Sequence, residues 1–560
     1  MKKLFIASLL FSIIACNTTS KTPEGGNADL LVYNATIYTV DSAFSTAEAM
    51  VIKDGKIMAT GNKGDLQMNW QYKDSLDAGG KFIYPGFIDA HAHFVGYGNS
   101  LQRVNLVGTN SWDEVIQKTR DFVNLNDSLL GYEHTAAVNS WILGRGWDQN
   151  DWDVKVFPTN EKLNELFPDR PVLLTRIDGH AAIANQKALD LAGIKAGDTL
   201  TGGSIEEMEG TLTGILIDNA IDLVSVKIPA QTETEFKKAL QDAEKNCFAM
   251  GLTTIDDCGL GFRSVEWIKA MQEKGELKMR MYVMLSDEKA NYDYAEKTGM
   301  IKTDRLNVRS FKVYGDGALG SRGACLLQPY SDKPDHYGFL LSNKEHFDSV
   351  ANWLDQKGWQ MCTHAIGDSG NRTILTVYAK YLKGKNDRRW RIEHAQVVNK
   401  NDFDLFGMNS IIPSVQPTHA TSDMYWAGKR LGDERVKGAY AYKQLLDQNG
   451  WIPLGTDFPV EDISPFKTFF AAVERKDAKG WPAGGYQMEN ALSKEATLRG
   501  MTIWAAKANF EEKEKGSLEK GKFADFIILD TDIMKTSGAD LLNIKVLKTF
   551  VGGEKVYEIR

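Results

Sequence analysis

The chain has 560 residues, 43% of them hydrophobic and 25% charged, with a formal net charge of -8. That balance can bury a large core in more than one domain, and it excludes a mainly disordered chain. Asp and Glu outnumber Lys and Arg, 74 to 66, so there is no broad basic field for a nucleic-acid backbone and nucleic acid is not an expected partner.

The first residues, MKKLFIASLLFSIIAC, carry two lysines, an apolar run from Leu4 to Ala15 and a small residue before Cys16. This is the plan of a secretory signal, too short to span a bilayer comfortably. Its ending, Ile13-Ile14-Ala15-Cys16, is similar to the lipobox of bacterial lipoproteins, in which cleavage precedes the cysteine and the cysteine is acylated. The expectation is a signal peptide over 1–16, a polar tether over 17–27 and an exported lipoprotein of the cell envelope. Lipid on Cys16 would hold it to a membrane, facing the periplasm or on the outer membrane, with plain secretion as the alternative. The remaining cysteines, Cys247, Cys258, Cys325 and Cys362, are dispersed without CxxC spacing and read as small buried apolar residues.

From Ala28 to about Asp77, alternating runs broken by Asp-Gly and Gly-Asn predict hairpin strands. KFADFIILD and KVLKTFVGGEKVYEI repeat that style near the C-terminus. Residues 28–80 and 500–560 are therefore expected to build one small β-sandwich from both chain ends. Between them, over 81–499, strands alternate with amphipathic helices. The strands are FIYPGFIDAHAH at Phe82, TTIDDCG at Thr253, KMRMYVML at Lys278, VRSFKVYGDG at Val308, WQMCTHAIGD at Trp359, RWRIEHAQ at Arg389, SIIPSVQP at Ser410 and WIPLGTDFPV at Trp451. Helical patterns such as ETEFKKALQDAEKNCFAMG, HFDSVANWLDQKG and ERVKGAYAYKQLLDQNG end in Gly, where a C-cap wants it. Eight strands in this rhythm predict an α/β fold, a (β/α)8 TIM barrel. The connection after the first strand is too long for a loop, and its own strand and helix signals predict an inserted subdomain over about 97–231.

Polar residues end the predicted barrel strands: His91 and His93, Lys312, His364, His394 and Asp457. Strand residues alternate faces, so His91 and His93 emerge on one side and can share a cation. Taken alone, such a pair is as compatible with a structural role as with a metal. Lys312 lies in an apolar stretch, where a lysine needs a shifted pKa or an anion. A salt bridge to Asp316 would satisfy it, and carbamylation by CO₂, giving an anionic oxygen ligand, is the other reading. No GxSxG elbow is present, so nucleophilic serine chemistry has no support.

PGFIDAHAH, the strand lysine, THAIGD, RIEHAQ and GTDFPV, in this order and across nearly the whole chain, resemble the motifs of the metal-dependent amidohydrolase superfamily. FKVYGDGALGSR, DGHAAIAN, GRGWDQNDW and GSLEKGKFADFIILD are similar to its YtcJ-like branch, which includes N-substituted formamide deformylases. The resemblance implies that His91, His93 and Asp457 bind one metal and His364 and His394 a second, with carboxylated Lys312 bridging them. With Lys312 unmodified, His91, His93, His364 and Asp457 suffice for one ion. Two Zn²⁺ ions suit nitrogen and carboxylate ligands, and manganese, iron or nickel fit similar sites. A bound metal lowers the pKa of water from about 15.7 to about 7, and Asp457 is the candidate general base and acid.

For substrate binding, the resemblance points to His180, and rim position adds Arg322 and His419. The bland alternatives are that Arg322 pairs with Asp316, His419 caps a loop and His180 holds the insertion in place. Trp141, Trp147, Trp152 and Trp426 either line an apolar pocket or fill a core. The implied function is hydrolysis of a non-peptide carbon–nitrogen bond in a small amide, such as an N-substituted formamide. A deaminase, a cyclic-amide hydrolase and a non-catalytic ligand-binding lipoprotein are the alternatives, and an oligomer is compatible with any of them.

Overall fold

The structure, a computed structural model, describes residues 25–130, 141–200 and 203–559. Cys16, the signal segment and the tether up to residue 24 lie outside the described residues. Strands β1 (Phe87–Ala92), β2 (Leu252–Leu260), β3 (Arg280–Ser286), β4 (Leu306–Tyr314), β5 (Gln360–Ala365), β6 (Arg391–His394) and β7 (Ile412–Ser414) pair side by side, all parallel and in chain order. They are buried almost throughout, as strands covered on both faces must be.

The predicted eighth strand, around Leu454, is too irregular to be a regular strand, yet it closes the wall. On one side Val415 pairs with Leu454 in parallel. On the other, Ala90 N donates to Leu454 O at 3.2 Å and Asp457 N to His91 O at 2.8 Å. The predicted (β/α)8 barrel is present.

Helices follow the strands for local reasons. Glu233–Ala249 starts in a capping box formed by Thr232 and Glu235, and Lys344–Lys357 stops at Gly358, left-handed at φ +74°. The pattern ERVKGAYAYKQLLDQNG is only half helical. A helix ends at Arg435, a short 3-10 turn covers Val436–Gly438, and the helix resumes at Tyr442–Asn449. Tertiary pairing overrides the periodicity there, because Val398 N, just beyond β6, donates to Gly438 O at 2.9 Å.

The two chain ends form one eight-stranded sheet in which Phe526–Leu529, from the C-terminal end, pairs with Trp70–Pro85. The sheet curls back on itself, with Lys56 bridging to Phe523, around a core that includes Val32, Ile52, Ile83, Phe526 and Phe550. Two boundaries differ from the expected ones. FIYPGFIDAHAH is two strands, because the chain leaves the terminal sheet at Pro85 and enters the barrel at Phe87. The hinge is Gly86, where a Cβ would lie 2.3 Å from the Thr253 side chain. The helix Ile503–Ala508 belongs to the barrel, since Ala505 and Ala506 pack on Ile88 and Ala90.

The inserted subdomain is a six-stranded sheet with a core on each face. Alternation decides which residue goes where: Val172 and Leu174 enter one core and Leu173 the other, and Ala181 and Ile183 part from Ala182 and Ala184 in the same way. No helix among the described residues is long and apolar enough to cross a membrane.

Candidate metal centre

Beneath the centre, the barrel interior holds a buried polar network. Arg391 Nη1 pairs with Asp256 Oδ2 at 2.9 Å, while Asn509 bonds both the Arg391 guanidinium and Asp256, all fully buried. One layer up, Asp89 joins β1 to the closing segment. Its Oδ1 accepts from Thr456 N at 3.0 Å and His91 N at 3.2 Å, and its Oδ2 accepts from the Thr456 hydroxyl at 2.6 Å. This clamp sets His91 and Asp457, on neighbouring staves, at one height.

At the C-terminal rim the polar strand ends converge. One ligand atom each from His91, His394 and Asp457 lies within 4.8 Å of the other two. His93 Nε2 stands 3.2 Å from Asp457 Oδ1 and Lys312 Nζ 3.3 Å from His91 Nε2. The His364 and His394 rings are 4.5 Å apart. His419 Nε2 donates to Asp457 Oδ2 at 3.2 Å and its Nδ1 faces Glu461 Oε1 at 3.4 Å. The backbone is strained here, with His394 at φ +74° and Asp457 at φ +64°. Such conformations cost of order 1–3 kcal/mol each and persist where the surroundings over-determine them.

The electrostatics favour a bound cation. Burial, reinforced by the Lys312 charge, holds His364 down to about 3, and burial also keeps His91 and His394 well below an ordinary imidazole. All three are neutral donors at neutral pH. Burial alone would raise the Asp457 carboxyl, but the hydrogen bond from His419 and the close His93 imidazole hold it well below the carboxylate range. Burial likewise opposes the His419 imidazolium, and Asp457 and Glu461 lift it to about 10. Lys312 is raised: burial works against its charge, and Cys258, Glu393, Tyr314 and Asp457 outweigh it.

Two buried atoms, His364 Nε2 and Asp457 Oδ1, have no hydrogen-bond partner of good geometry. Buried polar atoms left unsatisfied are costly, and a divalent cation would satisfy both. Neutral imidazoles, a carboxylate and an orphaned pair of donor atoms fit a metal ion.

The other sequence candidates fall elsewhere. Arg322 does not pair with Asp316; it forms a two-point ion pair with Asp332, at 2.9 and 3.1 Å. Asp316 is not the partner of Lys312 either, because its carboxylate accepts the backbone N–H groups of Cys325, Ile366 and Gly367. His180 is 77% exposed on the insertion and bonds Asp218 at 2.7 Å, in a cleft with Phe157, Arg176 and Ile217. Trp147 and Trp152 fill one core of the insertion, and Trp141 packs partly buried against the other. Trp426 is partly buried against the barrel core.

Four further residues stand in the centre: Tyr314, Glu393, Gln416 and Glu461. Tyr314 is 43% exposed, with its ring 5.6 Å from that of His364. Glu393 lies two residues beyond Arg391 in β6, so alternation places both inside the barrel. That signal is present in RIEHAQ. Gln416 and Glu461 lie beyond strand ends, where no period applies.

A parallel barrel whose strand ends bring imidazoles, a carboxylate and a buried lysine to one rim is a metal-dependent hydrolase fold. The amidohydrolase family profile matches residues 74–557, and the chain belongs to the amidohydrolase family. It is similar to protein LONG AFTER FAR-RED 3 of Arabidopsis thaliana, 34% identical over 96% of this chain and 92% of that one. To YtcJ of Bacillus subtilis it is 30% identical, over 93% and 98%. The N-substituted formamide deformylase of Arthrobacter pascens is 26% identical, over 95% and 98%. The crystal structure of a metal-dependent hydrolase from Pyrococcus furiosus superposes with a TM-score of 0.75 at 28% identity, covering 90% of this chain and all of that one. The chain is thus a hydrolase of carbon–nitrogen bonds, of the YtcJ and formamide deformylase branch.

Proposed function

We propose that the substrate is a small amide of the N-substituted formamide type, cleaved to a carboxylic acid and an amine. The observation that carries this reading is the buried Asp457 carboxylate, with Oδ1 turned to His91 and His93 without a hydrogen bond of good geometry and Oδ2 held by His419. A carboxylate fixed at one oxygen by His419 keeps the other turned toward a cation and its water. Bound at His91, His93, His364, His394 and Asp457, zinc would supply Lewis acidity, activating a water and polarising the amide carbonyl.

Asp457 takes the water's proton and delivers it to the leaving nitrogen, which departs as a neutral amine. His419, charged between Asp457 and Glu461, holds the carboxylate in aim and keeps it ionised. Tyr314, half-exposed with its ring beside that of His364, stands where it can contact the amide. Carboxylation of Lys312 needs a neutral amine, which the surrounding acids oppose, so we expect it only together with metal loading, when two ions replace the ammonium as counter-charge. For substrate binding we keep His180 and Arg322 as candidates away from the metal ligands, with His419 beside them through Asp457. The lipobox reading makes the enzyme an envelope lipoprotein held through Cys16.

A panel of N-formyl and N-acyl amines, assayed with metal analysis on the same sample, tests the reading. Formamide turnover with stoichiometric zinc supports it. A metal-loaded enzyme that cleaves lactams or amidines but no formamide refutes it. Mass spectrometry of the Lys312 peptide, with or without the mass of one CO₂, decides the bridge.

A further inference from the structure

His91 is oriented by a second group that no motif marks. Its Nδ1 lies 2.6 Å from Glu393 Oε2, with both side chains fully buried. A carboxylate oxygen accepts, so Nδ1 carries the proton and Nε2 carries the lone pair. The other side of the ring agrees: Nε2 faces the Lys312 ammonium at 3.3 Å, a donor standing where a cation would stand. His394 has a matching but weaker partner. Its Nδ1 is 2.8 Å from Gln416 Oε1, and Gln416 Nε2 donates to Ser414 O at 3.2 Å, which fixes which end of the amide faces the ring.

We propose that Glu393 is a positioning residue for metal binding, acting through His91, and that it makes His91 a stronger donor than His394. This rests on the metal-dependent reading of the centre. A charged acceptor on Nδ1–H fixes tautomer and ring angle and raises the basicity of Nε2, whereas the neutral Gln416 does the first two and little of the third. The second carboxylate oxygen, Glu393 Oε1, has no hydrogen bond of good geometry among the described residues, so the bond to His91 is the well-formed one of this carboxylate. The two ends of the centre are therefore unequal, with the His91 end binding a cation more tightly.

The test is a titration of the metal-free full chain with Zn²⁺ against a chromophoric chelator, for the wild type, Glu393→Gln, Glu393→Asp and Gln416→Ala. Glu393→Gln keeps the shape and loses the charge; Glu393→Asp keeps the charge and falls one methylene short of Nδ1. Each is expected to weaken zinc binding about 10–100-fold, with a smaller loss for Gln416→Ala. Cobalt-loaded Glu393→Gln should also show displaced visible absorption bands, a change that a merely structural role would not give. Wild-type zinc affinity in either Glu393 variant, or a larger loss in Gln416→Ala than in both, overturns the proposal. A wild type that binds no zinc would instead refute the metal-dependent reading beneath it.

Discussion

The barrel rim and the inserted subdomain solve opposite problems. At the rim, imidazoles and a carboxylate from separate strands are buried, left partly unsatisfied and held on strained backbone. The insertion satisfies itself: two apolar cores sandwich its sheet, Trp147 Nε1 bonds Leu174 O at 2.8 Å and Trp152 Nε1 bonds Thr109 O at 3.1 Å. Its candidate histidine, His180, is open to solvent. Chemistry needs groups that the fold holds apart from their ideal partners, and parallel register on a closed wall supplies that force. A subdomain with complete cores instead supplies a surface that can change without disturbing the centre.

The contrast is broken most severely by Asp457→Asn. Removing the carboxylate should lower kcat by about 10²–10⁴-fold, measured by steady-state hydrolysis with metal content determined on the same sample. The converse variant is Trp147→Ala, which empties a fully buried site and deletes a hydrogen bond. It should destabilise the insertion by about 3–5 kcal/mol, seen as faster amide exchange over its strands, with the metal content of the barrel unchanged.

A smaller effect comes from pH. The His419 pKa is lifted from an ordinary imidazole value to about 10 by Asp457 and Glu461, against the pull of burial. Between about pH 6.5 and 10 the folded state then holds a proton that the unfolded state has released. Its stabilising contribution is therefore complete below about 6.5 and is lost as pH rises to about 10. In the metal-free protein, melting temperature should fall through that alkaline range, and His419→Gln should flatten the fall. The smallest change is His180→Ala, an exposed substitution expected to move stability by less than about 0.5 kcal/mol. A substrate role for His180 would emerge as a raised KM at constant kcat.

Much of this contrast is legible in the amino-acid sequence. The barrel strands stand out because strands buried on both faces read as short apolar runs with polar ends, and His91, His93, Lys312, His364, His394 and Asp457 are those ends. Position along the chain cannot reveal a change of sheet, however. FIYPGFIDAHAH reads as one strand, and the turn at Gly86 is imposed by Thr253, more than 160 residues away. Pairing is equally hidden: Asp316 reads as a counter-ion for Lys312 and Arg322, and instead collects three backbone N–H groups. For the tryptophans a core is the commoner role, and in the structure Trp147 and Trp152 fill one core of the insertion, Trp141 packs on its other core and Trp426 on that of the barrel.

The central claim, that the rim centre is a metal site that hydrolyses amides, is tested most directly by chelation and reloading. Hydrolysis of an N-formyl amine and zinc content should fall together as a chelator strips the purified protein, and return together when Zn²⁺ is added with bicarbonate. Undiminished hydrolysis in a metal-free sample would contradict the account.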